Sequence, residues 1–279
     1  MRRQRKEETL SERAFFWGDL TSAEFRTLDK EKTIAILPVA AVEQHGPHLP
    51  VLTDTAIAEG MLGVLKRMLP PELSVLVLPT QAYGKSNEHL LSPGTVTLTA
   101  QTLIEVVTEI GASVARAGLR KLVLMNSHGG NSEVLGIVAR ELRVKHGMLC
   151  VPTHWRRFGL PSGMYTPLED KYGIHAGDIE TSLMLHFRAD LVRQDKVKNF
   201  VSSGIAMENE FTHLRPGGQH PFGWIAQDLN PDGAVGDATL ATADKGLKTA
   251  EHQVEGFIAL LRDMTSFSLD RLHGADTIR

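Results

Sequence analysis

Two carboxylates and two imidazoles stand close together in residues 42–54, directly after an apolar run. Glu43 and His45 are two residues apart, so in an extended chain their side chains project to the same side. Asp54 follows a turn rich in proline and glycine, at the point where a helical pattern begins. Carboxylate oxygens and imidazole nitrogens are ligands for divalent metals. The stretch predicts half of a metal site, although a solvated Glu-x-His pair and a helix cap at Asp54 explain the same residues.

Further candidate ligands follow two later apolar runs. His128 comes directly after the third run, and His175 with Glu180 comes after the fourth. Functional sites in open α/β sheets form at the carboxyl ends of the strands, so these groups are expected to meet. Together they can hold one or two divalent ions, with Asp54 able to bridge. Such a centre activates water for attack on a carbonyl group.

Other kinds of site are not favoured by the sequence. The glycines beside His128 also fit an anion-binding helix start. However, the chain has neither a Walker A pattern nor G-x-G-x-x-G, which speaks against a nucleotide cradle. It has no G-x-S-x-G elbow, which speaks against a serine hydrolase. Cys150 lies inside an apolar run and is interpreted as a core residue.

Composition places the chain among ordinary globular proteins. Of its 279 residues, 42% are hydrophobic and 23% charged, and the formal net charge is −3. This balance gives no reason to expect a nucleic-acid or membrane partner. A single cysteine excludes an intrachain disulfide, and no apolar run approaches the ~20 residues that span a bilayer. We therefore expect a cytoplasmic protein.

Apolar runs alternate with segments of helical periodicity along the chain. The predicted strands cover residues 33–42, 75–78, 121–125 and 148–152. The predicted helices cover residues 55–68, 99–117, 131–145, 179–187 and 238–264, with Asn131 as a cap of the third. The alternation predicts a three-layer α/β/α sandwich with a mostly parallel central sheet.

The domain organisation is predicted to be simple. Residues 1–30 are interpreted as an N-terminal lead-in and residues 31–279 as a single catalytic domain. Residues 199–237 are rich in glycine and proline, which is typical of lids or oligomer contacts.

The motifs together resemble the creatininase family, over about residues 15–263 and in the family's order. The fold implied by the resemblance is the α/β/α sandwich, and the activity is metal-dependent hydrolysis of amide-type bonds, commonly cyclic. A homo-oligomer, hexameric or dimer-based, is also implied. The matching segments are Glu43-x-His45-Gly-Pro-His-Leu-Pro with Asp54, Ser86-x-x-His89 with Pro93-Gly94-Thr95, Asn126-x-His128-Gly-Gly-Asn131, His175-Ala-Gly-x-x-Glu180-Thr181-Ser182, and a pattern from Gly233 to Gly246.

The resemblance implies a ligand set and a cofactor. Creatininase proper carries a glutamate at the position of Gly130, so Glu180 is expected to complete the ligand set here. The expected cofactor is one or two divalent ions per chain, zinc first, with manganese or iron as alternatives. The other implied ligands are Glu43, His45, Asp54 and His128, with Asp54 as the bridge.

Catalytic and substrate-binding roles are implied in the same way. His175 matches a histidine that assists proton transfer, and Glu180 is the second predicted catalytic residue. The predicted substrate-binding residues are Ser86, His89, Trp155, Lys171 and Arg215.

The sequence departs from creatininase proper around the substrate. Lys171 stands where that enzyme has a tryptophan, and residues 213–224 add cationic and amide groups, among them Arg215. Such groups suit a substrate with hydroxyls, a carboxylate or a phosphate, so creatinine is predicted to be a poor substrate. Two alternatives remain open: a hydrolase that breaks a carbon–carbon bond of an oxidised inositol such as 3-dehydro-scyllo-inosose, and a non-catalytic small-molecule binding protein.

Overall fold

The computed structural model describes residues 14–273, and at its centre lies a parallel four-stranded sheet in the order β2-β1-β3-β4. In register, Val39 pairs with Asn126, and Asn126 pairs with His154, so three strands end side by side. This confirms the predicted parallel sheet. The strands are β1 (Ile34–Val39), β2 (Val75–Val77), β3 (Lys121–Asn126) and β4 (Leu149–His154).

Helices cover both faces of the sheet, as predicted. One boundary was wrong: the last helix begins at Ala243, because Ala238–Leu240 form a separate 3-10 turn and the side chain of Thr242 accepts a hydrogen bond from Lys245 N. The helices are α1 (Thr53–Met68), α2 (Ala100–Arg116), α3 (Ser132–His146), α4 (Pro167–Tyr172), α5 (Asp178–Arg188), α6 (Ser203–Glu210), α7 (Ala226–Leu229) and α8 (Ala243–Ser266).

Alternation along the strands builds the two apolar layers. Ile34 and Ile36 of β1 face a core shared with α1, α5 and α8, whereas Ala35 and Leu37 face a core shared with α2 and α3. Successive side chains of a strand point to opposite faces, so one strand supplies both cores. The three-layer α/β/α sandwich is thereby confirmed.

Residues 199–237 form a small substructure beside the carboxyl ends of the strands. Strands β5 (Asn199–Phe200) and β6 (Gly236–Asp237) pair antiparallel, with α6 and α7 between them. Just before β6, Val235 N donates to His175 O at 2.6 Å, and His175 N donates to Val235 O at 3.3 Å. This segment therefore fixes the backbone around His175. Within residues 14–273, none of the helices has the length and apolar character to cross a bilayer.

Candidate metal centre

The five predicted metal ligands meet at the carboxyl end of the sheet. Glu43 and His45 follow β1, His128 follows β3, and Glu180 lies in the first turn of α5. Asp54 lies in the first turn of α1, whose N-cap is Leu52, so Asp54 does not cap the helix. Glu43, His45, Asp54 and His128 are each at most 5% exposed. The chain thus gathers buried oxygen and nitrogen donors from four separate segments.

Asp54 lies between two groups of donors. Its Oδ1 is 3.3 Å from His45 Nε2, and its Oδ2 is 3.4 Å from His128 Nδ1. Glu180 Oε2 approaches His45 Nε2 at 3.8 Å, whereas Glu43 Oε1 approaches His128 Nδ1 at 3.1 Å. Each triad, His45/Asp54/Glu180 and Glu43/Asp54/His128, has its ligand atoms within 4.8 Å of one another. The geometry suits two ions with Asp54 shared between them.

Backbone carbonyls orient both imidazoles. His45 Nδ1–H donates to Glu43 O at 3.0 Å, which leaves Nε2 as the nitrogen that faces Asp54. His128 Nε2–H donates to Lys85 O at 2.9 Å, which leaves Nδ1 facing Glu43 and Asp54. A hydrogen bond from the second ring nitrogen is the usual way in which proteins fix a metal-binding tautomer. Both rings therefore turn their second nitrogen towards the acidic cluster, where it can bind a metal.

Several donor atoms of the centre make no hydrogen bond within the described chain. These buried atoms are Glu43 Oε2, His45 Nε2 and Asp54 Oδ2. An unsatisfied buried polar atom costs about 1–3 kcal/mol, so three of them side by side are expected only where another group binds. Divalent cations in the two triads would satisfy them, and the residues present fit that group.

The pKa shifts of the cluster also support a bound cation. Burial, together with the charge of Glu43, raises the pKa of Asp54 to about 7 despite the nearby imidazoles of His45 and His128. Burial lowers the pKa of His45, but the carboxylates of Asp54, Glu180 and Glu43 outweigh it and raise that pKa to about 10. Without a cation, protons on His45, His128 and in part Asp54 balance the charge of the cluster. A bound divalent ion displaces them and neutralises the cluster.

His175 lies beside the centre as a neutral imidazole. Its ring centroid is 4.2 Å from that of His45, and its Nε2–H donates to Gln44 O at 2.8 Å. The remaining nitrogen, Nδ1, is 3.8 Å from Glu43 Oε1. Burial and the charges of His45 and His89 hold the pKa of His175 well below its usual value. His175 therefore offers a proton-accepting nitrogen at the cavity surface.

The residue after His175 helps to position Glu180. Ala176 has a φ of 57°, in the left-handed region that residues with a Cβ rarely adopt. In this conformation Ala176 N donates to Glu180 Oε2 at 2.5 Å. A strained backbone thus holds the carboxylate that completes the first triad.

Of the predicted substrate-binding residues, the structure brings two to the centre. His89 lines the cavity; its Nδ1 accepts a hydrogen bond from Gln44 Nε2 at 2.7 Å, and its Nε2 is 3.4 Å from Glu43 Oε1. Ser86 is fully buried behind His128, with its Oγ 3.3 Å from His128 Nε2. Ser86 therefore supports His128 and does not line the cavity.

The other three predicted substrate-binding residues do not line the cavity. Trp155 is buried in the core, where its ring meets Phe257 edge to face at 5.4 Å. The Lys171 ammonium pairs with the Glu208 carboxylate. The Arg215 guanidinium donates to carbonyl oxygens of its own loop. Packing and local hydrogen bonds thus turn all three side chains away from the site.

Asn131 also acts differently from the prediction. Its side chain accepts no hydrogen bond from the first turn of α3, so it is not the predicted side-chain cap. Instead its Oδ1 accepts from Lys85 N at 2.9 Å, and its Nδ2 donates to Ala40 O at 3.1 Å. Asn131 thereby connects Lys85, whose carbonyl oxygen accepts a hydrogen bond from His128, to the residue after β1.

A cavity of about 820 Å³ opens over the centre. One wall is apolar and includes Phe222 and Trp224, and another carries Arg156 and Arg157. The two arginines are the second and third residues after β4. His128 was predicted because it lies just beyond the end of a strand. The two arginines lie at the equivalent place after β4, so the same signal could have identified them.

Glu88 is a third cavity residue that sequence reasoning missed. Its Oε1 is 3.5 Å from His128 Nε2, on the side of the ring opposite the ligand nitrogen. A Cβ added to Gly130 would lie 2.3 Å from the same Glu88 oxygen. The glycine therefore makes room for Glu88. The signal available was its place next to His89 in the Ser86-x-x-His89 motif.

Comparison with known proteins places this arrangement in a family. The fold and the paired ligand triads are those of a metal-binding hydrolase. The family model Creatininase, described as creatinine amidohydrolase, matches residues 18–261. The chain belongs to the creatininase family, as its motifs predict.

Relatives in this family differ in their substrates. The mycofactocin precursor peptide peptidase of Mycobacterium ulcerans (strain Agy99) is 30% identical over 256 residues, which is 89% of this chain and 92% of that protein. The creatinine amidohydrolase of Pseudomonas putida is 32% identical over 202 residues, 66% of this chain and 76% of that protein.

Solved creatininases share the fold over nearly their whole length. A manganese form of creatininase has a TM-score of 0.70 and 27% identity, with 91% of this chain and 100% of that chain covered. A mutant creatininase of the zinc–zinc type has a TM-score of 0.70 and 28% identity, with 91% of this chain and 99% of that chain covered. Both support a divalent metal here.

Proposed function

We propose that this protein is a metal-dependent amidohydrolase that cleaves an amide bond in a peptide-sized substrate. The observation that carries the proposal is the shared position of Asp54, with one oxygen 3.3 Å from His45 Nε2 and the other 3.4 Å from His128 Nδ1. This arrangement fits two divalent ions, one in each triad. Bound there, they supply Lewis-acid polarisation of a carbonyl oxygen and a water nucleophile at neutral pH.

The chain's own residues supply the rest of the chemistry. Backbone hydrogen bonds hold the imidazoles of His45 and His128 and the carboxylate of Glu180, which fixes these ligands before substrate arrives. His175 is neutral and presents Nδ1 to the cavity. In the proposal it takes a proton and delivers it to the leaving amine nitrogen, the role of a general acid–base group.

The size of the cavity supports a substrate larger than creatinine. About 820 Å³ is near the upper end of the roughly 300–1,000 Å³ that hold drug-sized ligands. Several curated relatives with about 30% identity are described as peptide peptidases. The predicted preference for a substrate with hydroxyls, a carboxylate or a phosphate uses Lys171 and Arg215, among other groups of residues 213–224, and neither of these two side chains lines the cavity. No feature of the described residues favours carbon–carbon cleavage.

A metal-depletion assay tests this proposal. The purified protein is treated with a chelator, dialysed, and assayed on N-acetylated dipeptides and on creatinine, before and after manganese or zinc is added. We expect dipeptide hydrolysis to be lost with the metal and restored by it, and creatinine to be hydrolysed at least ~10-fold more slowly. Creatinine as the fastest substrate, or hydrolysis that is independent of metal, contradicts the proposal.

A further inference from the structure

The basic wall of the cavity stands next to the metal centre. Arg156 and Arg157 lie two and three residues beyond the end of β4, and both line the cavity that also contains Glu43 and Asp54. At the ends of the neighbouring strands, Asn126 of β3 pairs with His154 of β4. The two arginines therefore lie beside the segment that carries His128, since paired strands are about 4.8 Å apart.

Both guanidinium groups have donors that the described chain does not use. Arg156 Nη2 donates to Asp170 O at 2.9 Å and Oδ1 at 3.0 Å, but its Nη1 is buried and makes no hydrogen bond. Arg157 Nη1 donates to Pro152 O at 3.2 Å, and among residues 14–273 its guanidinium has no carboxylate partner within 4.0 Å. Arg157 is exposed and lines the cavity, so its remaining donors are open to an acceptor that the described chain does not supply, and Arg156 lines the cavity beside it.

The charges nearby leave this wall positive. Burial, reinforced by His128, Arg157 and Arg156, lowers the pKa of His154 to about 4, so this imidazole is neutral at pH 7. Outside the ligand triads, the charged residues of the cavity are three cations and two carboxylates. One of the carboxylates, Glu88, faces His128. The charged residues are Lys85, Glu88, Glu133, Arg156 and Arg157.

We infer that Arg156 and Arg157 form a subsite for a carboxylate of the substrate. The planar guanidinium fork matches a carboxylate, and charge-assisted bonds of this kind are the strong ones. In a peptide substrate the group is the free C-terminal carboxylate. Building on the proposed function, the scissile amide then lies close to the C-terminus, and water adds across its C–N bond to give a carboxylic acid and an amine.

Matched substrates test the subsite. The metal-loaded full chain is assayed on N-acetyl-alanyl-phenylalanine and on the same compound with a C-terminal amide. We expect kcat/KM for the acid to exceed that for the amide by about tenfold to hundredfold, mostly through KM. In Arg157→Gln the acid-to-amide ratio falls towards one, and Arg156→Gln reduces it as well. A purely structural role would lower both values together and leave the ratio unchanged.

An exposed arginine far from the cavity provides the control. Arg116, at the end of α2, also makes a single local hydrogen bond from its guanidinium. Arg116→Gln is expected to keep the wild-type acid-to-amide ratio. The inference is overturned if wild type treats acid and amide alike, or if both cavity variants keep the ratio.

A binding measurement separates this inference from the proposed function. Calorimetry with N-acetylphenylalanine and N-acetylphenylalaninamide on the metal-loaded protein needs no turnover. If neither dipeptide is hydrolysed but the acid binds at least ~10-fold more tightly in wild type and loses this advantage in Arg157→Gln, the subsite stands and the peptidase activity does not. Equal binding of acid and amide in wild type overturns the subsite.

Discussion

The Glu88 carboxylate occupies the space beside His128 into which a side chain at position 130 would project. A Cβ at position 130 would lie 2.3 Å from Glu88 Oε1 and 2.5 Å from His128 Nε2. The carboxylates of Glu43, Asp54 and Glu180 approach the two ligand histidines, and Glu88 approaches His128 Nε2. Glycine at position 130 is thus coupled to the position of Glu88.

Gly130→Ala tests this coupling. The added methyl group must displace Glu88 or the His128 ring, so we expect the affinity for metal to fall by about 10- to 100-fold. The measurement is a competition titration with a chelating dye. Gly129→Ala is the matched control, because a Cβ there meets nothing within 4 Å. Equal metal affinity in the two variants would show that the space beside His128 does not matter.

Glu180→Gln tests whether Glu180 completes the first triad. An amide is a much weaker ligand than a carboxylate, so we expect this variant to lose about one ion per chain. Its amide hydrolysis is expected to be at least roughly tenfold slower. Glu251→Gln removes an exposed carboxylate on α8 and serves as the control. Wild-type metal content in Glu180→Gln would remove this residue from the ligand set.

Buried neutral histidine is expected to make the fold sensitive to acid. His48 is fully buried, with its Nε2 3.0 Å from Thr181 Oγ1, and burial lowers its pKa to about 4. Between pH 6.5 and 4 the unfolded chain binds this proton and the folded chain does not. The stability of the fold is therefore unaffected by the protonation of His48 above pH 6.5. As pH falls towards 4, His48 lowers the free energy of unfolding by up to roughly 3 kcal/mol.

Denaturant unfolding of the chelated protein at about pH 7 and about pH 4.5 checks this expectation. His48→Gln keeps a hydrogen-bonding side chain that does not titrate, so its stability should fall less between the two pH values. His146→Gln, at the exposed end of α3, should behave as wild type. The same fall in wild type and His48→Gln would refute the role of His48.

The sequence was sufficient to predict the fold and the convergence of the predicted metal ligands. Continuous apolar strands alternating with amphipathic helices predict a covered parallel sheet, and such a sheet brings residues beyond its strand ends together. Glu43, His128 and Glu180 were found by this reasoning, and the structure places them within two adjoining triads. Their convergence depends on the topology of the sheet, and the order of strands and helices in the sequence predicts that topology.

The residues that line the cavity depend on the direction of each side chain, which the hydrophobic pattern of the sequence does not predict. Trp155 immediately follows β4, yet its ring packs into the core against Phe257, whereas the next residue, Arg156, lines the cavity. Lys171 is predicted to contact the substrate, but its ammonium group pairs with the carboxylate of Glu208 in α6. Such choices are made by tertiary packing between distant segments. Sequence reasoning therefore located the wall but chose the wrong members of it.

Metal analysis of Asp54→Asn tests the central claim most directly. If Asp54 joins the two triads, the wild-type chain reconstituted with zinc or manganese holds about two ions. Asp54→Asn should then lose both, since its two oxygens face different triads. Circular dichroism confirms that the variant is folded. A folded Asp54→Asn protein that retains the wild-type metal content would contradict a shared centre.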